Sequence, residues 1–95
     1  MDVTHDEANG RFVVAVEGEG GEEAVLRYVL QHGGTVMNMV SVYVPPAYRG
    51  RGLAERVTQA AFEHAEAKGL RVVPTCPYIS GAYLRRHPRW VGLTG

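Results

Sequence analysis

The amino-acid sequence predicts an α/β chain of the α+β kind. A mixed β-sheet begins as an N-terminal antiparallel meander and continues through a central helix, a short parallel strand and a C-terminal helix. Three observations predict this. β-Branched runs punctuated by glycine turns fill the first half. A single amphipathic run with helical period follows them. A short apolar run, Leu70–Val73, comes directly after that helix. With 95 residues, one domain spanning 1–95 is expected.

The elements follow in order. Asn9-Gly10 is a tight-turn signal. It precedes an alternating strand over 11–17, in which Phe12, Val14 and Val16 share one face, and Val3–Glu7 is placed as the other hairpin arm. Gly18-Glu19-Gly20-Gly21 is a loose turn. Glu23–Gln31 fits either period, because Val25, Leu26, Val29 and Leu30 suit a helix. His32-Gly33-Gly34 then turns into the β-branched run 35–44, and hairpin context tips 24–31 to strand. Leu53–Lys68 is the helix. Leu53, Val57, Ala60, Ala61, His64 and Ala65 lie on one face, with Phe62 near the boundary and Gly69 as its C-terminal stop. A strand, a crossover helix and a strand make a right-handed unit with parallel strands. Pro74 and Pro77 end the last strand. Tyr78–His87 is a second short helix, weakened by Gly81 and stopped by Pro88.

Composition excludes several classes. The chain is 45% hydrophobic and 21% charged, within the ordinary range for globular proteins. No apolar run reaches the roughly 18 residues a membrane helix needs, and the acidic N-terminus has no signal-peptide core. A single cysteine, Cys76, points to a reducing compartment, so a cytoplasmic location is expected. The four histidines have no metal-ligand spacing, so no metal is expected. The zero net charge is asymmetric. Residues 1–47 carry seven acids and two bases, and residues 48–95 carry eight bases and three acids. Bases so widely spread make a poor nucleic-acid footprint, and the expected state is a monomer or weak homodimer.

Between the last meander strand and the helix stands Tyr48-Arg49-Gly50-Arg51-Gly52-Leu53-Ala54. Glycines let main chain approach a phosphate closely. The first helical turn adds unpaired N–H groups and the positive end of the helix dipole. The turn therefore reads as a backbone-built anion site.

Arg49-Gly50-Arg51-Gly52-Leu53-Ala54, with Val44-Pro45-Pro46-Ala47-Tyr48 before it, resembles the Arg/Gln-x-x-Gly-x-Gly/Ala signature of the GCN5-related N-acetyltransferases. Val72-Val73-Pro74-Thr75-Cys76-Pro77-Tyr78-Ile79 and Tyr83-Leu84-Arg85-Arg86-His87-Pro88 resemble the closing segment of a minimal single-domain form of that family. The resemblance spans roughly residues 11–94. It implies an acetyl-CoA-dependent N-acetyltransferase, with acetyl-CoA as co-substrate and an amine of unknown identity as acceptor. The alternative it leaves is a non-catalytic CoA-binding or interaction domain with the same fold. It implies that Arg49, Gly50, Arg51, Gly52, Leu53 and Ala54 hold the pyrophosphate. Val42 and Val44 would lie along the donor, with a bulge near them exposing a backbone N–H to the carbonyl. Cys76, Tyr83 and Arg86 would also contact the coenzyme.

Three side chains are candidates for chemistry. Cys76 sits near an N-cap, where the dipole favours a thiolate nucleophile; the other reading is a small buried hydrophobe. Tyr78 and Tyr83 are candidates for protonating the leaving thiolate, or packing aromatics. Members of the minimal form often read His-Thr-Glu-Val-Pro at the end of the fourth strand, where this chain reads Ser41-Val42-Tyr43-Val44-Pro45. The histidine and glutamate that would serve as a base are missing. The minimal form also lacks the early helices that shape the acceptor cleft in larger relatives.

Overall fold

The computed structural model describes residues 2–16 and 21–95. Its sheet has five strands in sequence order: β1 (Thr4–Asp6), β2 (Arg11–Ala15), β3 (Glu23–Gln31), β4 (Val36–Tyr43) and β5 (Arg71–Val73). β1 to β4 pair antiparallel, and β5 joins β4 in parallel. The ambiguous 23–31 run is a strand. Residues 25–31 pair with β4 and residues 23–27 with β2, so ladder bonds and burial override a helical period that was equally available locally. Glu17, predicted to end the second strand, and Gly18 to Gly20 of the predicted turn lie outside the described residues. Val16 N–H donates to the Glu22 carbonyl at 2.9 Å across that connection.

Helix α1 (Leu53–Lys68) has the predicted bounds. Gly69 closes it in the left-handed region at φ 68°, with its N–H on the carbonyls of Ala65 and Glu66. Leu53, Val57, Ala61 and Ala65 are buried as their period requires. Phe62, placed near the boundary from sequence, is fully buried. Tyr83 and Trp90 stack on it at centroid distances of 5.6 and 5.5 Å, so the distant C-terminal segment widens the buried stripe. Thr58 is also fully buried, its hydroxyl donating to the Ala54 carbonyl at 2.7 Å.

One extra residue sets the shape of β4. Arg27 pairs with Ser41 but Tyr28 pairs with Met39, so Val40 bulges out of the ladder. Simple alternation from Met37 and Met39 would turn Ser41 and Tyr43 inward. The bulge resets the phase and puts Val42 against the core instead. β5 pairs only with Val36–Asn38. Beyond that, the Cys76 N–H takes the Met39 carbonyl at 3.0 Å, and the rest of β4 runs on without β5 beside it.

The C-terminal helix occupies 77–86, where Tyr78–His87 was predicted. Its middle, Ile79–Tyr83, is a π-helical turn, followed by one α-turn, Leu84–Arg86. In i→i+5 winding, residues five apart stand one above the other. Tyr78 and Tyr83 accordingly meet at a centroid distance of 6.2 Å. Pro88–Leu93 then forms 3₁₀ turns that deliver Trp90 to the core.

Candidate functional site

The predicted anion turn is built by backbone conformation. After a 3₁₀ turn over Pro46–Tyr48, Gly50 and Gly52 take φ of 81° and 76°. Both values lie in the left-handed region that side chains disfavour. A Cβ at either position would meet nothing within 4 Å. Conformation, not crowding within the protein, therefore demands glycine here. Gly52 is the N-cap of α1 and has no side chain to cap it. The first-turn N–H groups consequently point outward with no intrahelical acceptor.

This turn forms one wall of a cleft of about 530 Å³. The part of β4 that runs past β5 supplies Val42 and Tyr43, with Val44 just after it; the turn supplies Arg49, Gly50, Gly52, Leu53 and Ala54, and the C-terminal helix supplies Tyr78 and Arg86. The volume suits a small-molecule ligand. The cleft exists because β4 outruns β5 and because the C-terminal helix is pinned at Cys76 rather than continuing the sheet.

Arg49 folds back, its Nε donating to the Val44 carbonyl at 3.0 Å. That bond ties the turn to the end of β4. Arg51 does not line the cleft; its guanidinium lies over the Tyr48 ring, 5.4 Å from the centroid. Arg86 donates to Glu55 Oε1 at 2.9 Å, and His87 Nε2 stands 3.4 Å from the same oxygen.

The three candidates for chemistry separate. Cys76 does occupy an N-cap position, its carbonyl accepting from Ile79 and Ser80 at 3.0 Å each. Its side chain, however, belongs to the core cluster at 5% exposure and does not line the cleft. Tyr83 is 1% exposed between Phe62 and His87. Burial pushes its phenol up to about 12. Tyr78 lines the cleft, and its buried hydroxyl has no hydrogen-bond partner among the described residues. Burial raises its pKa, Glu55 adds to the rise and Arg86 opposes it. The bulge expected near Val42–Val44 sits at Val40 instead.

Sequence reasoning missed Glu55 as a cleft residue, and it named Tyr48 only as the start of the anion turn and Tyr43 only as standing where a base is expected. Glu55 carried a signal, since an acid in a helix's first turn faces the same dipole an anionic ligand would use. That the Tyr43 and Tyr48 side chains reach the cleft was not readable, because their directions depend on the Val40 bulge and the 3₁₀ turn. Among the described residues no group of three or more His, Cys, Asp or Glu could hold a metal. No helix among them is long and apolar enough to cross a membrane.

Fold and turn together define a class: a mixed α+β domain whose strand-to-helix turn offers backbone donors beside a strand that outruns its parallel neighbour. Within that class, the chain belongs to the GCN5-related N-acetyltransferase family, whose sequence profile it matches over residues 11–93. It is 33% identical over 88 residues to protein NATD1 of Gallus gallus, covering 93% of this chain and 77% of that protein. Against protein NATD1 of Homo sapiens it is 34% identical over 86 residues, 90% of this chain and 74% of the other. It is also 36% identical over 85 residues to glucosamine 6-phosphate N-acetyltransferase 1 of Oryza sativa subsp. japonica. That alignment covers 87% of this chain but 48% of the rice protein.

Proposed function

We propose that the chain is an N-acetyltransferase that takes its acetyl group from acetyl-CoA and passes it to an amine. The observation that carries this reading is the join of a left-handed Gly50/Gly52 turn, a 16-residue helix behind it and the free end of β4 in one cleft. Backbone N–H groups of residues 51–54 would hold the pyrophosphate. The main chain at Val42 and Val44 would lie along the pantetheine arm. Family membership supports acetyl transfer in general.

In the transfer, the amine nitrogen attacks the thioester carbonyl carbon. The carbon–sulfur bond then breaks, and the amine gives up its proton to water. Tyr78 is assigned the proton for the departing thiolate. Of Cys76, Tyr78 and Tyr83, it is the one that lines the cleft. Its raised pKa keeps the phenol protonated at neutral pH, which suits a donor. The proton goes from Tyr78 Oη to sulfur and is restored from solvent.

One observation favours a second reading, a CoA-binding domain without catalysis. Ser41 and Tyr43 stand where a base is expected, and Cys76 and Tyr83 are buried away from the cleft. Thiol release from acetyl-CoA over an amine panel decides between the two. Tyr78→Phe should bind CoA as tightly as wild type and release thiol at least about tenfold more slowly. Cys76→Ala should keep the wild-type rate. Thiol release that depends on Cys76 and not on Tyr78 would overturn the assignment, and CoA binding without release on any amine would favour the second reading.

A further inference from the structure

Resting on the reading of the cleft as a CoA site, we infer that Glu55 is an internal anion that competes with the ligand's phosphates for Arg86 and so weakens the cleft's hold on phosphorylated ligands. The residues involved come from two elements that only the fold brings together. Glu55 stands in the first turn of α1, directly behind the Gly50/Gly52 turn, and lines the cleft. Arg86, at the end of the C-terminal helix, lines it too. Their ion pair, Nη2 to Oε1 at 2.9 Å, links the two helices. His87 Nε2 adds a contact to the same oxygen at 3.4 Å.

A carboxylate oxygen held by a guanidinium and an imidazole has the partners a phosphate oxygen would have. It also sits at the helix end whose dipole favours negative charge. Glu55 therefore occupies, with a side chain of this protein, part of the favourable field a phosphate would enter. The pair is accessible to solvent, Arg86 at 59% and Glu55 at 36% side-chain exposure, so it can open without exposing buried charge. A phosphorylated ligand gains Arg86 only by displacing Glu55, and it meets the carboxylate's repulsion until it does. A ligand with several phosphates bears this penalty, whereas a neutral pantetheine fragment neither needs Arg86 nor meets the repulsion. Glu55 thus lowers the cleft's affinity for phosphorylated ligands and leaves that for neutral ones unchanged.

The test is isothermal titration of wild type, Glu55→Gln, Arg86→Gln and the double variant with CoA, 3′-dephospho-CoA and pantetheine, at low and high ionic strength. Glu55→Gln keeps the side chain's shape and removes its charge. It should tighten CoA binding by up to about fivefold, the ratio set by an exposed ion pair. The gain should shrink in high salt, be absent for pantetheine, and be smaller in the Arg86→Gln background. Unchanged or weaker CoA binding by Glu55→Gln would overturn the inference. So would an equal gain with Arg86 already neutralised, since Arg86 would then not be what Glu55 withholds. Wild type that binds none of the CoA series would instead overturn the reading of the cleft, and this inference with it.

Discussion

Replacing Gly52 by alanine separates what the turn does for folding from what it does for a ligand. Gly52 holds φ at 76°, and an alanine forced there costs about 1–2 kcal/mol. A Cβ would touch nothing within 4 Å, so no steric cost is added in the free protein. For a domain of this size, each kcal/mol lowers Tm by roughly 4–8 °C. Gly33, in the β3–β4 connection at φ 67°, is the control. It carries the same conformational demand and equally open surroundings. Gly33→Ala and Gly52→Ala should therefore lose comparable stability in urea titrations. They should differ in binding. A phosphate at hydrogen-bond distance from the first-turn N–H groups would fill the space beside Gly52 that a Cβ takes. Titration calorimetry should show Gly52→Ala weakening CoA binding by at least about tenfold, near 1.4 kcal/mol, and Gly33→Ala binding as wild type. Equal binding by both variants, or equal loss in both, would refute the reasoning that the glycine turn is shaped around an anion.

Two further outcomes concern stability. Phe62→Ala removes a fully buried ring from between α1 and the Tyr83 and Trp90 rings. It should cost about 3–5 kcal/mol, read as a lower urea midpoint and a lost near-ultraviolet signal from Trp90. Stability should also fall in mild acid. Burial lowers the His5 pKa below 6.5, helped by His64 at a ring distance of 4.4 Å and opposed by Glu7 and Asp6. The unfolded chain therefore binds the proton first, so stability is full above pH 6.5 and declines as pH falls through the window beneath it. His5 Nε2 lies 2.6 Å from the Tyr28 hydroxyl, which ties the effect to the docking of β1. Urea midpoints of wild type and His5→Gln across that window check this, and equal slopes would contradict it.

Much of the fold was legible because its signals are local. The period of Leu53–Lys68 and Gly69 after it marked both ends of α1, and the glycine turn announced itself by composition alone. The Val40 bulge was not legible, because it answers to Met37, Met39 and Val42 sharing one buried face, a demand made by α1 rather than by β4. The candidate site divided in the same way. Gly50, Gly52, Leu53 and Ala54 lie where the spacing put them, whereas Arg51, Cys76 and Tyr83 were drawn away from the cleft.

By itself, the sequence determined the order of elements, the left-handed turn and the helix behind it, since each is decided by residues within a few positions of one another. Tertiary structure decided which side chains face the cleft. Val40's bulge, the π-turn at Ile79–Tyr83 and the packing of Trp90 on Phe62 set the directions of Val42, Tyr78 and Cys76. They also brought Arg86 onto Glu55 across 31 residues of chain. A contact of that kind is set by how two helices seat on one sheet, and no periodicity in either helix records it.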